Sequence, residues 1–189
     1  MSAIIRPFLG KRLPNHLGFT LIELMVAIAI AAILLGIAIP SFTTTITSNR
    51  LTTNANEMVT ALNLARSEAI KRGKQVTVRS KNASTSWEGG WDVFVDVDAS
   101  NAFNDDGDAT LCEATEDCLL RTYAALPSGY TLRTPSSRFQ TYLPTGLSSV
   151  VAGDTFTLCS GSGSAMTRRT ITITLTGRPS TAVTTGTCP

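Results

Sequence analysis

The feature that most constrains this chain is an apolar run from Phe19 to Ile39, followed directly by Pro40. As an α-helix these 21 residues would measure about 32 Å, enough to cross a hydrocarbon core of about 30 Å. The run contains one carboxylate, Glu23, and a charge at membrane depth costs about 2.5–3.5 kcal/mol. We therefore predict a membrane-spanning helix in which Glu23 has a partner or a function.

Three basic residues, Arg6, Lys11 and Arg12, precede the run, and Gly18 lies directly before its first residue. An ordinary secretory signal or a plain membrane anchor is the alternative interpretation. An ordinary signal, however, is cut after its apolar region, next to a small-x-small pattern. The three cations predict that residues 1–18 stay in the cytoplasm and that the rest of the chain is exported.

The sequence Gly18-Phe19-Thr20-Leu21-Ile22-Glu23 closely resembles the type IV prepilin family, shared by type IV pili and the pseudopili of type II secretion. The resemblance implies that a prepilin peptidase cuts between Gly18 and Phe19 and that the new terminal amine of Phe19 is N-methylated. It implies that Glu23 assists docking on a neighbouring subunit, and that the helix loosens near Pro40 in the filament. The protein would cross the bacterial inner membrane once, in contact with its lipid, with its carboxyl-terminal domain in the periplasm.

The composition excludes most catalytic chemistry. The only His, His16, lies in the predicted leader, so the processed chain has no His for a triad, a general base or a metal. No Walker, dinucleotide-binding or G-x-S-x-G pattern occurs. Removing residues 1–18 takes away three of the 16 Lys and Arg and none of the 14 Asp and Glu, so the formal charge changes from +2 to −1. We predict that the protein is not an enzyme and has no cofactor.

The chain divides into four predicted segments. They are a cleaved leader (1–18), a membrane and filament-core helix (19–39), a continuation of that helix (40–73) and a β-rich periplasmic domain (74–189). The continuation carries an apolar stripe at helical spacing, formed by Leu51, Ala55, Met58, Leu62, Ala65 and Ala69. This stripe predicts that the helix, about residues 20–72, packs on the globular domain and stops at Gly73.

The rest of the chain has the short alternating segments that are typical of strands, separated by Gly and Pro. Strands are predicted at 75–79, 91–96, 119–123, 130–133, 138–143, 155–159 and 170–176. One long amino-terminal helix packed on an antiparallel sheet is an α+β fold of the type IV pilin kind.

Parts of the second half resemble the GspH/FimT group, which contains the minor pseudopilin H of type II secretion and the minor pilins FimT and FimU. These parts are 64–73, 87–96, 168–171, Leu158-Cys159, Gly177-Arg178 and the final Cys188. The resemblance implies a non-enzymatic minor subunit that primes or caps filament assembly. Its partners would be other pilin or pseudopilin subunits and the inner-membrane assembly platform. Residues 97–121 look like an insertion to which the resemblance to this group does not extend.

Four Cys in an exported domain favour two disulfides, for which three pairings exist. We favour Cys112–Cys118, because a short loop closes easily, and Cys159–Cys188, because it would fasten the carboxyl terminus to a strand. Zinc binding is the alternative, but no C-x-x-C pair and no His accompanies these Cys, so we predict no zinc site.

Ten acids and no basic residue lie between Lys81 and Arg121. Five of them are candidate calcium ligands, because Ca²⁺ prefers hard oxygen donors: Asp96, Asp98, Asp105, Asp106 and Asp108. Their spacing does not match an EF-hand. A solvated acidic loop is the interpretation that we favour, and a calcium site is the alternative.

Most of the charged residues in the last third of the chain are arginines. FimT-type pilins are associated with DNA binding through a Gly-Arg-x-Arg motif, of which this chain has Gly177-Arg178 but not the second Arg. Arg168 and Arg169 lie nearby in sequence and could add phosphate contacts. Capture of double-stranded DNA for natural transformation is therefore the alternative function. The other interpretation of the three arginines is that they are solvated or paired with carboxylates and bind no DNA.

Overall fold

The structure is a computed structural model that describes residues 18–104, 112, 115–149, 154–161 and 163–188. In these residues the chain forms one helix and eight strands. They are α1 (Leu21–Arg72), β1 (Val76–Ser80), β2 (Trp91–Val95), β3 (Cys118–Tyr123), β4 (Tyr130–Arg133), β5 (Phe139–Tyr142), β6 (Thr155–Ser160), β7 (Gly163–Ile173) and β8 (Pro179–Cys188). The chain divides into two compact units, Met1–Thr44 and Thr45–Pro189.

Helix α1 begins with a capping box. Glu23 Oε2 accepts hydrogen bonds from Thr20 N at 2.9 Å and from Thr20 Oγ1 at 2.8 Å, and Glu23 N donates to Thr20 Oγ1 at 3.3 Å. These contacts satisfy groups that have no partner in the first turn of a helix. The helix ends before Gly73, whose φ of 64° suits a residue without Cβ. Its bounds agree with the predicted 20–72, and it continues through Pro40.

The part of α1 in the first unit is apolar and exposed. Every large apolar side chain from Leu21 to Ile37 is more than half exposed. By length and composition, α1 is long and apolar enough to cross a membrane. An exposed apolar surface of this size is typical of a segment that lies in lipid or against other apolar helices.

The part of α1 in the second unit buries the predicted stripe. Its six members, Leu51, Ala55, Met58, Leu62, Ala65 and Ala69, are all at most 3% exposed. They form one cluster with side chains from both sheets, such as Trp91 and Phe156, and with Trp87 from the loop between β1 and β2. Trp87 meets Phe156 edge-on, with ring centroids 4.9 Å apart. Because half of the stripe is Ala, the helix backbone can approach the sheets closely.

The first sheet has the strand order β3-β2-β1-β5, and all of its pairs are antiparallel. Its inner face is formed by alternate residues, with Val76 opposite Val95 and Val78 opposite Val93. Its outer face carries Thr77. This hydroxyl is nevertheless buried, because the chain after β2 folds back over the sheet and Thr77 Oγ1 donates to Asp96 Oδ2 at 2.9 Å.

The second sheet has the order β4-β6-β7-β8 and is also antiparallel. Strands β7 and β8 form a long hairpin that is closed by the turn 174–178. Ile171 and Ile173 face the core, at 0% and 3% exposure. In the turn, Gly177 N donates to Thr174 O at 2.8 Å, and Gly177 has a φ of 75°.

Two predictions about the strands need correction. One antiparallel sheet was expected, and the structure has two. Strand β7 was expected at 170–176, but it ends at Ile173 because Thr174 and Gly177 form the turn. Strand β8 was not predicted, because Pro179 and Gly186 interrupt a run of Ser and Thr that has no alternating apolar residues.

The four Cys form two disulfides. Cys112 is bonded to Cys118, and Cys159 is bonded to Cys188, which are the two pairs favoured from the sequence. The second disulfide joins β6 to the end of β8, two strands away in the sheet. It therefore holds the carboxyl-terminal strand to the core of the second sheet.

Candidate functional site

The first candidate surface is the start of α1. Phe19 is 83% exposed, and Glu23 lies one helical turn further on among exposed apolar side chains. Glu23 Oε2 is held by Thr20, while Glu23 Oε1 has no donor among the described residues. The capping box therefore orients the carboxylate and leaves one of its oxygens available to a cation outside this chain.

The second candidate site lies where three carboxylates converge. The ligand atoms of Asp96, Asp98 and Asp117 all lie within 4.8 Å of one another. Asp96 and Asp117 are buried, and Asp98 is exposed. Of the five predicted calcium ligands the structure thus brings Asp96 and Asp98 together, whereas Asp105, Asp106 and Asp108 lie outside the described residues.

Backbone N–H groups donate to these carboxylates. Asp96 Oδ2 accepts from Asn101 N at 2.9 Å and Asp96 Oδ1 accepts from Ser100 N at 3.0 Å. Asp117 accepts from Val97 N at 2.8 Å and from Asn104 N at 2.9 Å. This arrangement fastens the loop 97–104 to the outer face of the first sheet. The calcium site stays the untested alternative, and the hydrogen bonds give the two buried carboxylates a structural role without it.

The environment shifts two of these groups in opposite directions. Burial raises the pKa of the Asp117 carboxyl, the N–H groups of Val97 and Asn104 oppose that rise, and the charges of Asp96 and Asp98 add to it. Hydrogen bonds from Ser100 lower the pKa of Asp98. The exposed carboxylate is thus the more easily ionised of the two.

The predicted DNA-binding arginines do not form one surface. Arg168 and Arg169 are consecutive in β7, so they lie on opposite faces of the sheet. Arg169 Nη2 donates to Thr52 Oγ1 of α1 at 2.7 Å. Arg168 lies over β8 instead, where its Nη1 donates to Thr187 O at 2.8 Å and its Nε to Thr184 Oγ1 at 3.2 Å.

Arg178 lies at the far end of the same hairpin. The pair Arg168–Thr184 is five residues from the pair Ile173–Pro179 at the turn, or about 17 Å along the strands. The structure therefore does not bring the three arginines together, and DNA contact by Arg168 and Arg169 stays a prediction. Arg168 and Arg169 donate to hydroxyl and carbonyl oxygens, and among the described residues neither forms an ion pair with a carboxylate.

A different arginine lies near Arg178. Gly177 approaches the turn at Gly146 so closely that a Cβ on Gly177 would lie 2.3 Å from Gly146 O. The same Gly146 O accepts a hydrogen bond from Arg66 Nε of α1 at 3.0 Å. Arg66 and Arg178 therefore flank one turn, and neither forms an ion pair with a carboxylate of the described residues.

Comparison of the sequence with models of known families identifies the family of this chain. The sequence matches the family model "Type II transport protein GspH" over residues 54–177, more than half of the chain. It also matches the model "Prokaryotic N-terminal methylation motif" over residues 13–39. The chain belongs to the GspH family. The methylation motif spans the predicted cleavage site at Gly18 and Phe19, and together with the exposed apolar helix it indicates membrane anchoring.

Two fimbrial proteins of Pseudomonas aeruginosa are similar to this GspH-family chain. Each is 37% identical to it over 83 residues, which is 44% of this chain and 53% of the relative. The chain thus spans about half the length of the curated relatives it matches.

The fold of the GspH-family chain is that of a type IV minor pilin. A crystal structure of the type IV minor pilin FimU from Pseudomonas aeruginosa PAO1 matches with a TM-score of 0.57 and 20% identity, covering 72% of this chain and 90% of FimU. A second crystal form matches with a TM-score of 0.51 and 17% identity, covering 69% and 91%. The family and the fold are those of structural pilin or pseudopilin subunits, which are not enzymes.

Two residues of the GspH-family domain were not predicted as site residues. Asp117 was counted only as one of ten acids, although it directly precedes Cys118 at the start of a strand. Arg66 lies in the segment 64–73, which was considered for its family resemblance, but its side chain reaches a turn 80 residues away in sequence. Only the tertiary contacts reveal these two roles, because no local pattern marks either residue.

Proposed function

We propose that this GspH-family protein is an assembly subunit that enters a type IV pilus or type II secretion pseudopilus from the inner membrane and primes or caps it. The observation that carries the proposal is the Glu23 carboxylate, which lies on an exposed apolar helix with one oxygen free of partners in the described chain. In a low-dielectric environment an unpaired carboxylate is costly, and a neighbouring cation would offset that cost.

The terminal amine of a neighbouring subunit would supply that cation. Cleavage after Gly18 would leave Phe19 as the first residue, with its amine on the fully exposed end of the helix. Pairing Glu23 with the Phe19 amine of the next subunit would neutralise both charges and cover the apolar surface from Leu21 to Ile37. The partners in this proposal are other pilin-type subunits, the prepilin peptidase, the assembly platform and membrane lipid.

The test compares Glu23→Ala with Glu57→Ala. The second variant removes an exposed carboxylate from the same helix, in the part that belongs to the second unit of the chain. We expect Glu23→Ala to leave leader cleavage intact and to reduce the amount of the subunit in sheared filaments, with Glu57→Ala unchanged. The measurement is the ratio of subunit in sheared filaments to subunit in membranes. Normal incorporation of Glu23→Ala would contradict the docking role.

Processing is tested separately at Gly18. Replacing Gly18 with Leu should block the peptidase, so that the protein keeps the mass of the full chain and does not enter filaments. Mass spectrometry of the membrane fraction measures this. A mature-sized Gly18→Leu protein would mean that a different cleavage removes the leader.

Capture of double-stranded DNA is the second candidate function. It is favoured by the position of Arg66 and Arg178, which flank the Gly146 turn without carboxylate partners in the described residues. Guanidinium groups suit phosphate oxygens geometrically, but two cations contribute only weak, salt-sensitive binding.

The DNA test uses two double variants with the same change of charge. We expect Arg66→Ala/Arg178→Ala to abolish salt-sensitive binding of labelled double-stranded DNA, and Arg168→Ala/Arg169→Ala to retain it. Fluorescence anisotropy of the domain 45–189 at two salt concentrations is the measurement. Absence of wild-type binding at low salt would leave only the assembly function.

A further inference from the structure

Strand β8 has an open edge that the other edges of the two sheets do not share. An edge strand presents unpaired N–H and C=O groups, and proteins usually protect such edges with charges, bulges, short strands or a covering segment. The described residues contain four edge strands: β3 and β5 in the first sheet, and β4 and β8 in the second.

Three of the four edges are protected. Strand β3 carries the exposed Arg121, and its register with β2 shifts next to Val93. Strand β5 has four residues and is covered by the following loop, where Ser149 N donates to Thr141 O at 3.0 Å. Strand β4 also has four residues and is covered by the segment 85–87, where Trp87 N donates to Leu132 O at 2.8 Å.

Strand β8 has none of these protections. It is ten residues long, has no charged side chain, and has its only Pro at the first position. Its pairing with β7 is regular from Ile173–Pro179 to Met166–Gly186. Most of its side chains are exposed: Ser180, Thr181, Ala182, Val183, Thr185 and Thr187. No strand or loop of the described residues pairs with its outer backbone edge, and the one side chain that reaches a backbone group of β8 near its end is Arg168, whose Nη1 donates to Thr187 O.

The identity of the partner follows from the same features. A strand that pairs with this edge must itself have an open edge, and among the described strands β8 is the one whose edge is neither covered nor charged. Two identical strands can pair antiparallel about a two-fold axis, which produces a closed dimer. Because β8 lacks charges, such a pair has no like charges opposite each other.

The middle of β8 fixes the register. Val183 is the only large aliphatic side chain of the strand, is the fifth of its ten residues, and is 59% exposed. With Val183 opposite Val183 of a second copy, Thr181 lies opposite Thr185 and Ala182 opposite Thr184. Pairs of Thr and of β-branched residues are favourable across strands. We propose that β8 pairs with β8 of a second copy of this chain, which joins the two β4-β6-β7-β8 sheets into one sheet of eight strands.

The test uses the domain 45–189, which contains the whole buried core and both disulfides. Sedimentation velocity is measured for the wild type, Val183→Lys, Val183→Glu and an equimolar mixture of these two variants. Leu175→Lys is the matched control, because Leu175 is 62% exposed and lies in the turn outside β8. We expect dimers for the wild type and the control, monomers for each Val183 variant, and recovered dimers in the mixture, where Lys lies opposite Glu.

Hydrogen exchange provides a measurement that needs no variant. In the wild type, the protection of β8 amides should increase with protein concentration, while that of β1 amides stays constant. A wild type that stays monomeric with unchanged β8 protection would overturn the proposal. So would a dimer that survives Val183→Lys. A series of ever larger species would also overturn it, because a two-fold pair uses the one open sheet edge that the described part of each chain has.

Discussion

The carboxylates of Asp96, Asp98 and Asp117 repel one another, and yet two of them are buried. Four backbone N–H groups of the loop 97–104 donate to the buried pair, so the loop is held by the same charges that would otherwise destabilise the site. At the scale of single residues, these hydrogen bonds give the loop 97–104 a fixed place on the first sheet.

The pKa of Asp117 tests this account. Since its pKa is raised above the usual 3.8, its contribution to stability is present below about pH 3.8 and is lost as the pH rises through the folded value. Asp98→Asn removes one repelling charge, so we expect the pKa of Asp117 to fall but to remain raised by burial. The measurement is a carbon-13 NMR titration of the Asp117 carboxyl, with Asp154→Asn as the control.

The free energy of unfolding of Asp98→Asn would not separate the lost repulsion on Asp117 from the lost stabilising contribution of Asp98 itself. Because the pKa of Asp98 is lowered, its own stabilising contribution is present above its unfolded pKa and is lost as the pH falls through the folded value. Asp98→Asn removes that contribution as well. An unchanged pKa of Asp117 in Asp98→Asn would show that the two carboxylates do not interact.

Gly177 is a second residue whose identity is set by its contacts. Gly177 and Gly129 both have positive φ, at 75° and 86°, which costs an L-residue about 1–2 kcal/mol. A Cβ at Gly177 would lie 2.3 Å from Gly146 O, whereas a Cβ at Gly129 meets nothing within 4 Å. We expect Gly177→Ala to lower the free energy of unfolding by about 1–3 kcal/mol more than Gly129→Ala. Equal losses in urea denaturation would mean that the two turns do not pack closely.

At the scale of elements, α1 performs two tasks with one continuous helix. In the first unit its apolar side chains are exposed around Glu23, and in the second unit an Ala-rich stripe is buried in the core. The capping box at Thr20 and the glycine at Gly73 define its two ends. The stability of the second unit should therefore depend strongly on the stripe and little on the exposed apolar positions of the helix.

Leu62 and Ile46 provide a comparison on that helix. Leu62 is 0% exposed and Ile46 is 51% exposed. Leu62→Ala should lower the free energy of unfolding of the domain 45–189 by about 2–5 kcal/mol, because it leaves a cavity between helix and sheets. Ile46→Ala should change it by no more than about 0.5 kcal/mol. Similar values for the two variants in urea denaturation would contradict this packing.

At the scale of the whole molecule, two disulfides constrain different parts of the domain. The partners of Cys159–Cys188 are 29 residues apart in sequence and join β6 to the end of β8, whereas those of Cys112–Cys118 are only 6 apart. A longer closed loop restricts the unfolded chain more. The carboxyl-terminal strand is therefore the part of the fold that depends most on oxidation.

Removing each disulfide separately measures this difference. Replacing both Cys of a pair with Ala should lower the free energy of unfolding by about 2–4 kcal/mol for Cys159–Cys188 and by about 1 kcal/mol less for Cys112–Cys118. Thermal and urea unfolding of the domain 45–189 measure both losses. A larger loss for the shorter loop would mean that local packing around Cys112, and not chain entropy, determines the result.

The sequence alone determined the parts of this protein that depend on local pattern. The bounds of α1 and its exposed and buried halves follow from hydrophobic periodicity, because neighbours along one helix decide these features. The α+β fold follows from this helix and the alternating segments after it, and the family was indicated by a resemblance of the motif at Gly18-Phe19 and of segments in the second half. Both disulfide pairs could also be favoured, since the export of the domain and the spacing of its Cys limit the choices.

Only the tertiary structure decided how distant segments meet. The division into two sheets, the strand β8, the burial of Asp117 and the pairing of Arg66 with the Gly146 turn all depend on contacts between residues far apart in sequence. For the same reason, Arg168, Arg169 and Arg178 are not brought together. Nearness in sequence does not place side chains together when strand pleating and a hairpin carry them to opposite faces and opposite ends.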